Sequence, residues 1–561
     1  MSAVVAVMDA NRSHRSTSDG HPQRRWAIAL VLALTCFGVG LVQSPIPGVN
    51  ESHWLGKARA FWDPEWCSRD FFFRSGNAHY LFLAGIGSVA QVLTLPAVAL
   101  LGRAAAAVAI GWSLSVLLSR GEFLHTISVA ALFLLAQWLG NFSGEWLIGG
   151  VEAKQFSYAL LFATLAAVDR SRFRLAAATI GLAVAMHPVV GAWGAIAVGG
   201  ACILTYGVSG WSRDIPPQNA PRDEPSPLSG RQLMEGGLIA MVAALSGLIP
   251  AIAVLRSTSD ASVAQAATLE QVYGRLRHHL DPTAFSTVSY CYYAGLLVLW
   301  FALSWTLRRR EKPGHSGEPA RGTLRQAPVA TTFVLVVDLS LLIAGCGLAV
   351  GWGAAWADGR LTAPEAGLGV WSQRAAACLK FYPFRTADLL LPLGVAWVLV
   401  NAVPVWGRGG RIAVVVGIVV ILITVTMFPS PFLAGPTDRD LTPELWADWE
   451  DAGRWIREST PRDALFVTPT YSRHFKWWAE RAEFVCHKDC PQDAAGILEW
   501  RRRMTVWRAW RQSAFGNGVT PDELADLARK TEGTHLIVHQ AVPVQRAPLY
   551  RNRTFAVYEL N

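Results

Sequence analysis

A chain of 561 residues has room for roughly three or four soluble domains. However, 52% apolar residues, only 16% charged residues and 24 tryptophans exclude that organisation, because a soluble surface carries roughly a quarter to a third of its positions as charges. Disorder, collagen and coiled coil each need a polar or repetitive sequence, and eight cysteines are too sparse for a disulfide scaffold. The composition reads as an all-α polytopic membrane protein with a small C-terminal α/β domain outside the bilayer.

Apolar runs of about 20 residues, the length that crosses ~30 Å of hydrocarbon, predict eleven spans. They are 26–42, 96–118, 123–141, 155–168, 173–187, 189–207, 235–255, 287–306, 329–352, 387–405 and 411–430. The first follows Arg24 and Arg25 and is read as retained, since no A-x-A-like cleavage site follows it. Basic short loops set the direction. Arg12, Arg15, Arg24 and Arg25, the stretch Asp169–Arg174, Arg308–Lys312, and Arg408 with Arg411 are all expected on the cytoplasmic side. Parity then makes 79–95 a helix lying in the outer interface, because counting it as a span would place Asp169–Arg174 outside. The plan is a cytoplasmic tail 1–25, a membrane domain 26–430 with an outer loop 45–95, and an extracytoplasmic domain 431–561. The inner segments 208–234 and 307–328, rich in Pro, Gly, Ser and charge, read as flexible linkers.

The tail has different patterning. Asp438–Thr460 carries Leu445, Trp449, Ala452, Trp455 and Ile456 at helical spacing and stops at Pro461. Segments 493–511 and 521–530 read as helices; 464–467, 535–539 and 554–559 read as strands.

Charges at the ends of spans are costly and tend to be functional. Glu51 opens the first outer loop, and Asp63, Glu65 and Asp70 follow it. Glu145, Glu152 and Lys154 lead into the fourth span, and His187-Pro188 breaks an apolar run. Arg275, Arg277, His278 and His279 lie in a further outer loop; Lys380, Tyr382, Arg385 and Asp388 stand at the mouth of the tenth span. Carboxylates can deprotonate an acceptor hydroxyl, and Lys and Arg can hold a phosphate leaving group. The expected catalytic set is Glu51, with Asp70, Glu152 and His187 as second choices for acceptor or metal contact. The expected phosphate-binding set is Lys154, Arg277, His278, Lys380, Tyr382 and Arg385. The sequence identifies no cofactor and assigns no metal ligand, and it leaves a divalent metal open. Each group also has a plainer reading: a solvated loop acid at Glu51, an interfacial ion-pair set at Glu145, Glu152 and Lys154, a helix cap at His187, and interfacial anchors at Arg277, His278 and His279. Lys380 and Arg385 could likewise reach lipid phosphates without selecting a substrate. Cys486-His-Lys-Asp-Cys490 suits a disulfide better than zinc, for which a second ligand pair is missing. The net charge of +9 is explained by the cytoplasmic loops and does not point to nucleic acid.

The first span followed by Asn50-Glu51-Ser-His-Trp54 resembles the start of the first outer loop in the GT-C superfamily of integral membrane glycosyltransferases. That superfamily includes the protein O-mannosyltransferases and the aminoarabinose transferases of lipid A. His79–Leu83 resembles its juxtamembrane helix, Leu95–Arg103 the start of its second span, and Trp455–Pro461 a segment opening its C-terminal domain. Where the family has an acidic pair, this chain has Asn50-Glu51, and the element Gly149–Lys154 is its own. The resemblance implies inverting transfer of a sugar from a polyprenyl-phosphate donor, within membrane lipid, to an acceptor on the outer face, with Glu51 in the carboxylate position. The rival readings are a transporter or flippase and a non-catalytic envelope membrane protein.

Overall fold

A computed structural model of the chain describes residues 20–48, 50–119, 123–209, 228–310, 327–363, 367–402, 442–469 and 474–560. The predicted spans within these ranges are helical. Six helices are long and apolar enough to cross a membrane by length and composition. They lie within α1 (Gly20–Gln43), α4 (Leu95–Leu117), α8 (Pro188–Tyr206), α9 (Gly230–Leu255), α12 (Thr287–Arg310) and α13 (Ala327–Ala357). The protein is therefore a multi-pass membrane protein. Predicted spans at 123–141, 155–168 and 173–187 form shorter helices: α5 (Phe123–Leu139), α6 (Ala153–Asp169) and α7 (Phe173–Met186), of 17, 17 and 14 residues. Pro188 stops α7 by removing the next backbone donor, and α6 is buried along nearly its whole length. Segment 387–405 corresponds to α15 (Arg385–Ala402). The eleventh predicted span, the Arg408–Arg411 turn, Arg12 and Arg15, and most of both inner linkers lie outside the described residues.

The bundle has two distinct ends. At one, Arg170 donates to Val116 O and Ser119 Oγ, both at 2.6 Å, Arg174 pairs with Glu235, and Trp26 packs on Trp112. His125 meets Asn401 and Thr332 meets Thr205 at this same end. The basic segments Arg24–Arg25 and 170–174 are thus gathered here. The opposite end carries the loop between α1 and α4, the stretch 140–152, the α7–α8 corner at His187 and the start of α15.

Above that opposite end lie α2 (Glu51–Trp62) and α3 (Tyr80–Ala90). At about 1.5 Å per residue α3 is roughly 16 Å long, too short to cross a bilayer. Gly87 lets it sit against α2, since a Cβ there would be 2.2 Å from Ala58 O. Between α9 and α12 run α10 (Ala261–Leu269) and the single turn α11 (Arg277–Leu280), and α14 (Val370–Leu379) precedes α15.

The tail is α/β. Helix α16 (Pro443–Ser459) is capped by the Thr442 hydroxyl, which accepts from Leu445 N. Then come β3 (Leu465–Val467), α17 (Phe475–Ala479), β4 (Ala482–Glu483), α18 (Ala494–Asn517), α19 (Pro521–Thr531), β5 (His535–His539), β6 (Tyr550–Arg551) and β7 (Phe555–Glu559). The labels β1 and β2 denote the two-residue parallel pair Val208–Ser209 and Leu228–Ser229. The five-stranded sheet has order β4-β3-β5-β7-β6. Strand β3 runs parallel to both neighbours, and β7 antiparallel to β5 and β6. One apolar cluster joins Leu55, Phe72, Val98 and Val151 to Leu465, Trp477, Trp500 and Tyr558. The tail and the first outer loop therefore share a core.

Candidate active site at the loop-covered end of the bundle

A cavity of about 1610 Å³ opens at the end opposite the basic loops. Its lower wall is apolar and comes from Thr35–Val42 of α1, Ala131–Leu135 of α5, Val189–Ile196 of α8 and Leu248–Leu255 of α9. Val42, Leu135, Ile196, Ile252 and Leu255 line it and are also exposed on the flank of the bundle. The polar rim comes from loops far apart in the chain: Asn50, His53, Trp54, His79, Glu145, Glu152, Lys154, His187, Arg275, His278, His279, Lys380, Tyr382 and Arg385, with His474, Lys488 and Gln492 from the tail.

Charges on this rim are tightly organised. Lys154 lies 3.2 Å from Glu145 and 3.6 Å from Glu152 and sits 4.0 Å from the Trp146 ring centre. Arg385 pairs with Glu145 at 3.1 Å, stacks at 3.9 Å on the Tyr382 ring and reaches His187 Nε2 at 3.1 Å. His187 also caps α8, its Nδ1 3.3 Å from Val190 N, and burial holds its imidazole well below the ordinary range, so it is uncharged. Asn50 donates to Glu152 through a short hydrogen bond. Arg275 and Lys380 make no ion pair among the described residues. Burial lowers His79 to about 3 and His279 well below its ordinary range, and it lowers His278 as well. These imidazoles act at neutral pH as uncharged hydrogen-bonding groups.

The residues expected from the sequence divide on this geometry. Glu152, His187, Lys154, His278, Lys380, Tyr382 and Arg385 line the one cavity. Glu51 does not. It is fully buried, at 0% exposure, and Arg103 clasps it with contacts of 2.6 and 2.7 Å. Gly48 N and Val151 N also donate to it. Gly150 makes this approach feasible, because a Cβ at that position would lie 2.9 Å from the Glu51 Cγ. Arg103 further donates to the carbonyls of Gly40, Ser44 and Pro45. Glu51 thus ties the end of α1 to the loop before α6, and an already-paired carboxylate with no face on the cavity is poorly placed to take a proton from a substrate. Asp70 also lies outside the cavity, accepting from Phe73 N and Glu483 N and pairing with Lys476 at 3.1 Å. Arg277 turns away to Asp281.

Behind the rim is a second charged cluster. Lys476 contacts Asp70, Glu483 and Asp489, the last through a short ion pair. Asp489 Oδ1 lies 2.7 Å from His53 Nδ1. His474 Nδ1 lies 3.0 Å from Ser52 Oγ. The expected disulfide is not formed: Cys486 and Cys490 are free thiols. Cys486 faces Glu483 and Asp489, whereas Cys490 lines the cavity. Donor atoms of Glu483, Cys486 and Asp489 lie within 4.8 Å of one another, yet the Lys476 ammonium already neutralises that group. Lys154 does the same for Glu145 and Glu152. Neither donor set fits a divalent cation well, since a metal would have to displace a buried lysine.

His53, His79, Lys488 and Gln492 are rim residues that the sequence reading did not single out. The signal for His53 was present in the spacing: Asn50, His53, Trp54 and Lys57 recur at i, i+3, i+4 and i+7, which is one face of a helix. Glu51 falls outside that stripe.

Residues 447–506 match the family DUF6798, a domain of unknown function. No curated protein matches the chain. The matched segment includes His474, Lys488, Cys490 and Gln492, which line the cavity, and Lys476 and Asp489 behind its rim.

Proposed function

We propose that the protein is an inverting membrane glycosyltransferase of GT-C type. It would move a sugar from a polyprenyl-phosphate donor to an acceptor on the outer face of the plasma membrane. In this reading the bundle has eleven spans, the N-terminus and basic loops face the cytoplasm, and the tail domain is extracytoplasmic.

The observation that carries the proposal is the two-part cavity. Its apolar wall opens on the lipid-facing flank and suits a polyprenyl chain; its rim is cationic and aromatic and suits a sugar phosphate. Lys380, Arg275 and Arg385 would hold the phosphate through charge-assisted hydrogen bonds. Lys154, balanced between Glu145 and Glu152, would orient the sugar, with His278 as a neutral hydrogen-bonding group and His279, whose Nδ1–H is given to Ser143 O, as an acceptor. Trp54 and Trp146 offer faces for a sugar ring.

The depth of the cavity argues against transport. It enters the bundle by about eight residues of α1, α5, α8 and α9, or ~12 Å at 1.5 Å per residue, and no lining residue comes from the basic end. A transporter site sits near the midplane between repeated halves.

The test is to incubate membranes containing the protein with a panel of labelled polyprenyl-phosphate sugars and trace label into lipid, glycan and protein. Transfer that depends on Lys380 and Arg385 supports the reading. Absence of transfer from every donor, with label moved across sealed vesicles instead, refutes it.

A further inference from the structure

A transferase that deprotonates its acceptor needs a basic atom facing the cavity. The carboxylates nearest the rim do not supply one. Glu145 and Glu152 are both held by Lys154, and Glu51 is closed behind Gly150 and Arg103. His187 is occupied by Arg385.

His53 is differently placed. It lines the cavity, and its ring is fixed between the Phe72 face, 4.2 Å away and stacked, and the Trp54 edge, 4.6 Å away. Nδ1 is taken by Asp489 Oδ1 at 2.7 Å. Asp489 is itself ionised: burial would raise its carboxyl, but the Lys476 ammonium and His53 outweigh that and hold it well below the ordinary range. An ionised carboxylate only accepts, so Nδ1 carries the proton. Nε2 is then the lone-pair nitrogen, with no protein partner among the described residues. From His53 the wall continues through Trp54, His79 and His187 to Arg385, with ring-centre steps of 4.6, 4.9 and 4.5 Å. A base at one end of this wall and a cation suited to phosphate at the other thus line the same cavity.

We infer that His53 is the general base of the reaction, that Asp489 of the tail domain is its positioning residue, and that the acceptor is therefore a hydroxyl group. This rests on the glycosyl-transfer reading above. In the step, His53 Nε2 takes the acceptor's O–H proton while that oxygen forms a bond to the sugar's anomeric carbon. The bond from that carbon to the donor's phosphate oxygen breaks, and its electron pair leaves on the polyprenyl phosphate. The products are the glycosylated acceptor, polyprenyl phosphate and an imidazolium on His53. Burial, the larger effect, lowers His53 to about 4 although Asp489 favours its charged form, so the imidazole is neutral before the step and the imidazolium readily returns its proton to water. The arrangement has the logic of a carboxylate holding an imidazole in one tautomer.

The experiment compares wild type, His53→Ala and Asp489→Asn in transfer from whichever donor the panel identifies. Each variant is first checked for membrane insertion and monodispersity in detergent. His53→Ala is expected to lower kcat by about 10²–10⁴-fold with donor KM within about threefold of wild type, and added imidazole is expected to restore part of the rate. Asp489→Asn is expected to lower kcat while sparing donor KM. A His53→Ala rate within about threefold of wild type, or no rescue by imidazole, overturns the proposal. If His53→Ala does not fold, His53→Asn replaces it; the amide can still donate toward Asp489 but has no basic nitrogen. Retained activity in His53→Asn overturns the proposal, and loss of kcat at constant donor KM supports it. A wild-type protein that transfers from no donor refutes the glycosyl-transfer reading itself, an outcome distinct from an active wild type with active His53 variants.

Discussion

Arg103→Met separates a structural from a catalytic role for Glu51. Arg103 makes two contacts to the Glu51 carboxylate and three to backbone carbonyls of the α1 end, all in a buried setting. Removing it strands a carboxylate that keeps, among the described residues, the backbone donors Gly48 N and Val151 N. Breaking a buried ion pair on one side costs about 3–5 kcal/mol. Glu51→Gln strands the guanidinium instead and is expected to cost a similar amount. The double variant Glu51→Gln/Arg103→Met removes both charges and should cost clearly less than the sum, with a coupling on the order of 1–3 kcal/mol. Thermal unfolding in detergent, followed by tryptophan fluorescence, reads all four proteins. The reasoning is refuted if Arg103→Met melts with wild type, or if the two single losses simply add. A Glu51→Gln protein that melts like wild type yet transfers no sugar would restore Glu51 to a chemical role.

Four further outcomes are expected. On the proposed function Lys380 holds the donor phosphate through a charge-assisted contact worth about 1.5–3 kcal/mol, so in Lys380→Ala donor KM should rise ~10–150-fold with melting unchanged; equal KM values in initial-rate assays would remove Lys380 from the site. Gly87→Ala drives a Cβ to 2.2 Å from Ala58 O, a backbone atom that cannot swing away, and should destabilise by about 1–3 kcal/mol. Gly85→Ala, with open space around its Cβ, should be neutral or slightly stabilising in the same melt. Burial lowers Lys57 from 10.5 to about 7, even though its ammonium reaches Phe72 O, Ser75 Oγ and Gly76 O. The unfolded lysine stays protonated up to 10.5, so between these values the unfolded state binds the extra proton and stability rises with pH. Lys57→Met should flatten that rise, by up to about 1.4 kcal/mol per pH unit, in melts taken from pH 7 to 9; parallel slopes would contradict it.

The apolar runs are legible as helices because a buried or lipid-facing helix needs little beyond length and hydrophobicity. Their count is less legible. Segments such as Ala153–Asp169 are as apolar as a span but sit inside the bundle, where neighbouring helices rather than lipid set their length. In the tail, the α16, β5 and β7 patterns are clear in the sequence. The two-residue strands Ala482–Glu483 and Tyr550–Arg551 carry no periodicity to read and exist only because longer strands template them. Convergence of Glu152, Lys154, Lys380 and Arg385 followed from topology, since loops at one end must meet. The burial of Glu51 did not, because its partner Arg103 is 52 positions away and looks like an ordinary end-of-span cation. The pairing of His53 with Asp489 spans 436 positions and leaves no local trace.

The shared core between the first outer loop and the tail has a consequence for biogenesis. Ribosomes make the chain from its N-terminus, so the histidine in α2 reaches its place long before the aspartate that completes it exists. Until the final segment has been made and docked, Asp70 lacks its lysine and the roof of the cavity is missing. A half-made bundle inserted in the bilayer would thus lack the tail's side of the cavity, and a product severed before residue 442 would carry His53 without Asp489.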